Sequence, residues 1–325
     1  MPDQREILVY GSHVYGSYIH CERLPRPGET VAGTGYRSMV LDDGGKGSNQ
    51  AICAARLTGT TSLVCAIGTD RGGEEGLALL SAEGCDVSRV LRSPDLPTGV
   101  SLAVIDGAGM SIIITDPGAN QMLTADAAKA NEAFLGQHRF CLLQFESPKD
   151  GALEAARLAR KQGARSMLTP GPMVALEKSD LEGLDIIIPN ETEAAELLGV
   201  EEISDYRAAA REICSRWGVS NTIVTCGSRG AVAWWENALV EVPAFKVDAK
   251  NTIGAGDAFA ASCALALCRG LDISQALRFA AAVAAISVRT AAAPWTSYPT
   301  LDHVHDFLAD VGEAIRLPSI SDFPL

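Results

Sequence analysis

Asn251-Thr252-Ile253-Gly254-Ala255-Gly256-Asp257-Ala258-Phe259 passes from small residues straight into an apolar helical pattern carried by Ala258, Phe259, Ala261, Ala264, Leu265 and Cys268. Glycine at 254 and 256 permits backbone angles and close approaches that a side chain forbids. A helix starting there leaves its first amide N–H groups without partners inside the helix, and its dipole adds partial positive charge. Such an end seats an anion, typically a phosphate. A carboxylate at Asp257 beside an anion is repelled unless it has a task. The task that suits it is taking a proton from a nucleophile that attacks the phosphate. Taken alone, the pattern also suits an aspartate in the first turn of an ordinary helix.

Asp42-Asp43-Gly44-Gly45-Lys46-Gly47-Ser48-Asn49-Gln50-Ala51 repeats the passage from glycines into a small-residue helix. It is not a P-loop, which needs four residues between its glycine and Gly-Lys-Ser/Thr. Nor is it the dinucleotide fingerprint Gly-x-Gly-x-x-Gly. Further polar or glycine-rich stretches stand at Gln144–Pro148, Pro189–Glu193 and Thr225–Gly230. Each follows a strand-like run, and in an open α/β sheet ligands sit beyond the carboxyl ends of the strands.

Strand patterns at 6–10, 62–67, 139–145, 184–188 and 221–225 alternate with helical ones at 46–58, 73–83, 149–162, 191–198, 204–217, 255–269 and 273–289. That rhythm predicts βαβ units and a mostly parallel sheet covered on both faces. Two stretches break it. Residues 12–40 lack a helical stripe, and Val100–Asp106 with Ser111–Thr115 reads as a hairpin around Gly107-Ala108-Gly109. These two insertions are expected to form a small β lid (12–40 and 98–116) over a core made of 1–11, 41–97 and 117–325.

The 325 residues carry 27 Lys and Arg against 40 Asp and Glu, a net charge of 27 − 40 = −13. That acidity argues against a nucleic-acid partner, whose phosphates need clustered cations. Nine cysteines, an odd number, lie in apolar segments with no Cys-x-x-Cys pair or zinc spacing, so they read as buried free thiols. The first residues have no apolar signal core and no uncharged apolar run reaches 18 residues, which points to a cytoplasmic protein without a membrane partner.

The two glycine segments, in this order and roughly 200 residues apart, resemble the paired signatures of the PfkB (ribokinase-like) carbohydrate kinases. So do Leu8–Ser12, Pro27–Val31, Gln144–Pro148, Pro189–Glu193 and Thr225–Gly230, which follow in family order, most closely that of the ribokinase branch. The resemblance implies a three-layer α/β/α core with a β lid, and transfer of the γ-phosphoryl of ATP to a hydroxyl of a pentose or similar small sugar. In that reading Asp257 is the general base and the amides of Gly254, Ala255 and Gly256 form an anion hole. Gly45, Lys46, Gly47, Asn49 and Glu146 face the sugar. Asn190 and Glu193 organise Mg²⁺ and the ATP phosphates, although a capping-box pair explains the same spacing. Thr225, Gly227, Ser228, Arg229 and Gly230 line the nucleotide site, or form a plain strand-to-turn connection.

Departures from the family pattern narrow the reading. Ribokinases carry Asn and Asp shortly after the Gly-Ser turn, where this chain has Val14 and Gly16, so ribose is disfavoured and an aspartate restored at Gly16 is expected to help it. His13 and Tyr15 either replace those contacts or are exposed loop residues. The family's monovalent-cation site opens on an aspartate that is Asn251 here. K⁺ would be held by Asn251, Ile253 and residues within 287–296. Two other functions stay open: a nucleoside kinase of the same family, and a non-catalytic sugar sensor. Tyr15, Tyr18 and Tyr36 are the only aromatics in 12–40 for a base to stack on, and a sensor has no need of Asp257. The two-faced apolar pattern of 100–105 predicts a homodimer through the lid.

Overall fold

The computed structural model describes residues 5–39, 43–107, 111–290 and 294–319. Its fifteen strands are β1 (Arg5–Tyr10), β2 (Val14–Cys21), β3 (Gly33–Met39), β4 (Thr61–Val64), β5 (Ala66–Gly68), β6 (Cys85–Asp86), β7 (Leu91–Ser93), β8 (Gly99–Ile105), β9 (Ser111–Asp116), β10 (His138–Gln144), β11 (Arg165–Thr169), β12 (Ile186–Ile187), β13 (Asn221–Thr225), β14 (Ala231–Trp235) and β15 (Ala238–Val242). Nine of them make one sheet in the order β15-β14-β13-β12-β11-β10-β1-β4-β6. From β6 across to β13 every neighbouring pair is parallel, and the antiparallel pairs are β13–β14 and β14–β15 at the edge.

Central strands of such a sheet are covered on both faces and read as continuous apolar runs. All of Glu6–Tyr10 in β1 and nearly all of β10 are buried. Successive side chains part company: Ile7 and Val9 join one core with helices 45–58, 255–268 and 273–287, while Leu8 and Tyr10 join the other with helices 149–161, 191–198 and 206–217. Two layers of helix thus enclose one sheet.

The helices begin and end where local chemistry dictates. Asp205 and Asp272 cap the starts of 206–217 and 273–287, and left-handed glycines at 59, 199 and 218 close the preceding ends.

A second sheet, ordered β3-β2-β8-β9, draws its strands from the two insertions. β8 and β9 pair antiparallel, as the sequence leads one to expect, while Ala108 and Gly109 of the intervening turn lie outside the described residues. The small sheet packs through Tyr18 and Ala103 against Ile253.

Three expectations need correction. The strand read at 62–67 is two: β5 leaves the large sheet to pair with β7, and Cys65 between them offers its carbonyl to Leu91 N–H. The strand read at 184–188 is ordered as strand only at Ile186–Ile187. The edge strands β14 and β15 were not anticipated; they meet at Glu236 and Asn237, both at positive φ, the turn that matches strand twist.

Candidate active site

Because β1, β10, β11, β12 and β13 are parallel, the loops after them converge on one rim: Gly11-Ser12-His13, Glu146, Gly171, Asn190 and Cys226–Gly230. Helix 45–58 starts against the first of these. A Cβ on Gly47 would stand 2.5 Å from both Ser12 N and Ser12 O, and Ser48 N–H donates to Ser12 O at 3.0 Å. Close packing of helix on turn therefore accounts for this glycine. Gly45 sits at φ 77°, beside Glu146 Oε2, Ser12 Oγ and Val14.

The opposite wall is helix 255–268, entered through Gly254 at φ 75°. A Cβ on Gly254 would meet Tyr298 Oη at 2.5 Å, whereas one on Gly256 would meet nothing within 4 Å. The helix thus opens on free space at Gly256. Of the three expected amide donors, Ala255 N–H turns back to Thr252 O at 3.2 Å.

Asp257 lies one turn into this helix, only 7% exposed. Its Oδ1 accepts from Gln50 Nε2 at 3.0 Å and its Oδ2 from Asn49 Nδ2 at 3.4 Å. A carboxylate can only accept, so Gln50 must present its amide nitrogen. Its own Oε1 then accepts from Gln144 Nε2 at 2.6 Å, which leaves Gln144 Oε1 buried without a partner. Burial raises the Asp257 pKa above the ordinary carboxylate range; Lys46 and the two amides oppose it.

Lys46 is the cation of the site. Burial works against its charge, but the carboxylates of Asp257, Glu146, Glu193 and Asp43 prevail and hold its pKa above the usual range. Glu146 is likewise raised by burial and opposed by Lys46; its Oε2 accepts from Ser12 Oγ at 2.6 Å and Lys46 N at 2.7 Å. Glu193 follows the same logic. Lys46 is thus one ammonium facing four carboxyl groups.

Asn190 and Glu193 do form the capping box, with 2.9 Å bonds each way. That uses Glu193 Oε2, while Oε1 lies beside Gly171, whose other neighbour is the Lys46 side chain. Asn190 also bridges to Thr225, and Gly227 faces Glu191. Arg229 is not held free for phosphate: it pairs with Glu191 and stacks on Tyr206, its guanidinium 4.6 Å from the ring centroid. Ser228 is exposed beside it.

Other candidates lie elsewhere than the sequence suggests. His13 is 1% exposed, its Nδ1 2.9 Å from Ser48 Oγ and its ring packed on Gly76. Burial lowers its pKa to about 4, so it is neither an exposed loop residue nor charged near neutrality. Tyr15 packs against Gly72. Asn49 is also buried: Nδ2 donates to Asp43 Oδ1 at 2.8 Å as well as to Asp257, and Oδ1 accepts from Trp295 Nε1 at 2.7 Å. Asn251 Oδ1 accepts from Ile253 N–H at 3.0 Å and so closes its own turn, while the Ile253 side chain joins Tyr18 and Ala103. Residues 291–293 of the expected K⁺ segment lie outside the described residues. No group of three or more His, Cys, Asp or Glu residues suited to a metal occurs among the described residues. All nine cysteines are buried and free.

Gln50, Trp295, Tyr298, Tyr18 and Asp43 join the site without having been assigned to it from sequence. Gln50 sits next to Asn49 in the glycine segment, and Asp43 just ahead of Gly44, so both were within reach. Trp295 and Tyr298 had no local signal, since they meet Asn49 and Gly254 across 246 and 44 residues.

Residues 4–298 match the pfkB family of carbohydrate kinases. The chain is similar to a ribokinase of Haemophilus influenzae, 32% identical over 306 residues that cover 94% of this chain and 99% of the relative. It is also similar to a deoxyribokinase of Salmonella typhimurium, 30% identical over 309 residues covering 94% and 99%. Among solved structures, Arabidopsis thaliana ribokinase complexed with ribose and ATP superposes with a TM-score of 0.84 at 29% identity, covering 94% of this chain and 99% of that one.

Proposed function

The chain belongs to the pfkB family of carbohydrate kinases, phosphotransferases with a hydroxyl acceptor, and from that premise we propose that it passes the γ-phosphoryl of ATP to a hydroxyl of a pentose or similar small sugar. The observation that carries this reading is Asp257: a buried carboxylate of raised proton affinity, one turn into a helix whose amide end opens on free space at Gly256. Phosphoryl transfer asks the protein for little covalent chemistry, so positioning and charge stabilisation dominate.

Asp257 accepts the proton of the attacking hydroxyl. Gln50 and Asn49 fix its orientation, and Lys46 keeps it ionised before the transfer. The amides of Gly254, Ala255 and Gly256 stabilise charge on the transferring group, Ala255 releasing its long bond to Thr252 to do so. Glu146, Lys46 and the Gly45–Gly47 turn border the sugar. Thr225 and Gly227–Gly230 border the nucleotide, with Arg229 acting through Glu191 and Tyr206 rather than on phosphate.

Mg²⁺ bound with ATP neutralises phosphate charge. A single carboxylate, Glu193, with Asn190 nearby suits an ion that keeps most of its water. A K⁺ ion at Asn251 and Ile253 would meet neutral oxygens alone, one of them already accepting an N–H, so we propose at most weak dependence on K⁺.

The nucleoside reading is the weaker one. Tyr15 and Tyr18 differ in parity along β2 and so face opposite sides of the small sheet, and Tyr36 stands 62% exposed; the three do not build one stacking pocket. We further propose that the small sheet acts as a lid over the sugar and that two copies join through it.

ATP turnover across a panel of pentoses, hexoses, polyols and nucleosides tests the assignment, with Asp257→Asn alongside. Asparagine keeps the shape and removes the proton affinity, so kcat should fall by about 10²–10⁴ while ATP affinity changes little. A variant retaining more than about a tenth of wild-type kcat would remove Asp257 from the role of base.

A further inference from the structure

Asp43 has no part in the mechanism above, yet it stands at the mouth of the site. It lies between the small sheet and helix 45–58. Tyr18 Oη donates to its Oδ2 at 3.1 Å; Asn49 Nδ2 and Gly45 N–H donate to its Oδ1 at 2.8 and 3.2 Å. An ionised carboxylate offers about four acceptor positions, so one on Oδ2 is left over. Asp43 is partly exposed, as is Glu146, whereas Asp257 is buried.

Two relations fix its distance from the chemistry. Asn49 Nδ2 donates both to Asp43 and to Asp257. An amide nitrogen that donates along both N–H bonds holds its two acceptors roughly 5 Å apart. A hydroxyl has one proton to donate and Asp257 takes that of the attacking one, so a sugar hydrogen bond to Asp43 comes from a different hydroxyl. The facing strand supplies no rival, because Gly16 has no side chain and a Cβ there would come within 3.0 Å of Asp43 O and 3.3 Å of Asp43 Cβ. A side chain at position 16 would therefore press on Asp43.

We propose that Asp43 selects the acceptor: its carboxylate accepts a hydrogen bond from a sugar hydroxyl remote from the reacting one, with Tyr18 holding it in place. The proposal rests on the kinase reading and adds to it a specificity-determining residue. It also bears on Gly16→Asp, which should help ribose only if the Asp43 backbone can give by a few tenths of an ångström. A hydrogen bond to a charged group is worth a factor of about 10–150 in affinity.

The test compares wild type, Asp43→Ala, Asp43→Asn and Tyr18→Phe on the preferred sugar and each of its monodeoxy analogues. Sugar binding by calorimetry is measured beside steady-state kinetics. In Asp43→Ala the acceptor KM and Kd should rise about 10–150-fold, with kcat within about threefold and ATP KM within about twofold. One deoxy analogue should bind wild type at least about tenfold worse than the parent, and that gap should close to below about threefold in the variant. Tyr18→Phe should raise the same constant by a smaller factor. Should Asp43→Ala not fold, Asp43→Asn, which keeps the shape and loses the charge, decides by the same ratio.

Unchanged discrimination in the folded variants overturns the proposal, as does a fall in kcat at constant KM, which would mean that Asp43 merely positions Asn49 and the base. Wild type that binds sugars but turns over no ATP overturns the kinase reading instead, and the calorimetric ratios still decide Asp43.

Discussion

At the scale of single residues the site is an argument about one ammonium. Four carboxylates gather around Lys46, three of them raised by burial and each opposed by its charge. The sign of the consequence follows directly. Asp257 must be ionised to accept a proton, so activity is lost as pH falls through the folded-state pKa of the coupled group. Removing Lys46 takes away a force that lowers that pKa. Lys46→Met should therefore shift the acid limb of kcat/KM to higher pH, whatever it does to the plateau. A limb that stays in place, or moves to lower pH, would show that Lys46 is not what keeps the base ionised. Asp257 and Lys46 were legible because they sit in glycine segments, and Glu146 because a family pattern contains it. Trp295 and Asn49's full set of partners were not, because their hydrogen bond joins residues 246 apart and no local period encodes it.

Elements explain what single residues do not: why glycine recurs at the rim, and why its reasons differ. Gly47 lets helix 45–58 press on the Gly11–Ser12 turn, while Gly256 leaves open space in the first turn of helix 255–268. The same substitution should part them. Gly47→Ala forces backbone apart and should cost about 1–3 kcal/mol, lowering Tm in thermal denaturation together with activity. Gly256→Ala meets nothing in the protein and gains helix propensity, so Tm should hold or rise while kcat drops as the methyl enters the phosphoryl seat. Equal losses of Tm in both variants would remove Gly256 from the anion hole. Helices were the more readable elements, since caps and left-handed glycines mark their ends in the sequence. Short strands were not: β12 needs only Ile186 and Ile187 because β11 and β13 hold it on both sides, and β11, Arg165–Thr169, lacks a pattern of its own.

Across the whole molecule, the large sheet is enclosed by helices, and the small one is not. Its register sets Leu102 opposite Ile114 and Val104 opposite Ile112. The residues facing away from the core, Val100, Leu102, Ile112 and Ile114, are 39–63% exposed. Beside them β9 ends the sheet, with no strand paired on its outer edge among the described residues. An apolar face next to an open strand edge invites association unless something covers it. A two-fold pairing of two such sheets would cover both with one self-complementary surface, and would close the assembly against further growth. Because Tyr18 and Ala103 of the same sheet pack on Ile253, next to the proposed anion hole, pairing would also steady the proposed lid over each site. The expected outcome is a dimer at micromolar concentration in sedimentation velocity. Leu102→Glu with Ile114→Glu should convert it to a monomer of about 34 kDa, with the acceptor KM raised more than the ATP KM. A wild-type monomer at that concentration would refute the pairing. A dimer indifferent to both charges would place it on another surface, and the exposed isoleucines of β9 would then need a different partner.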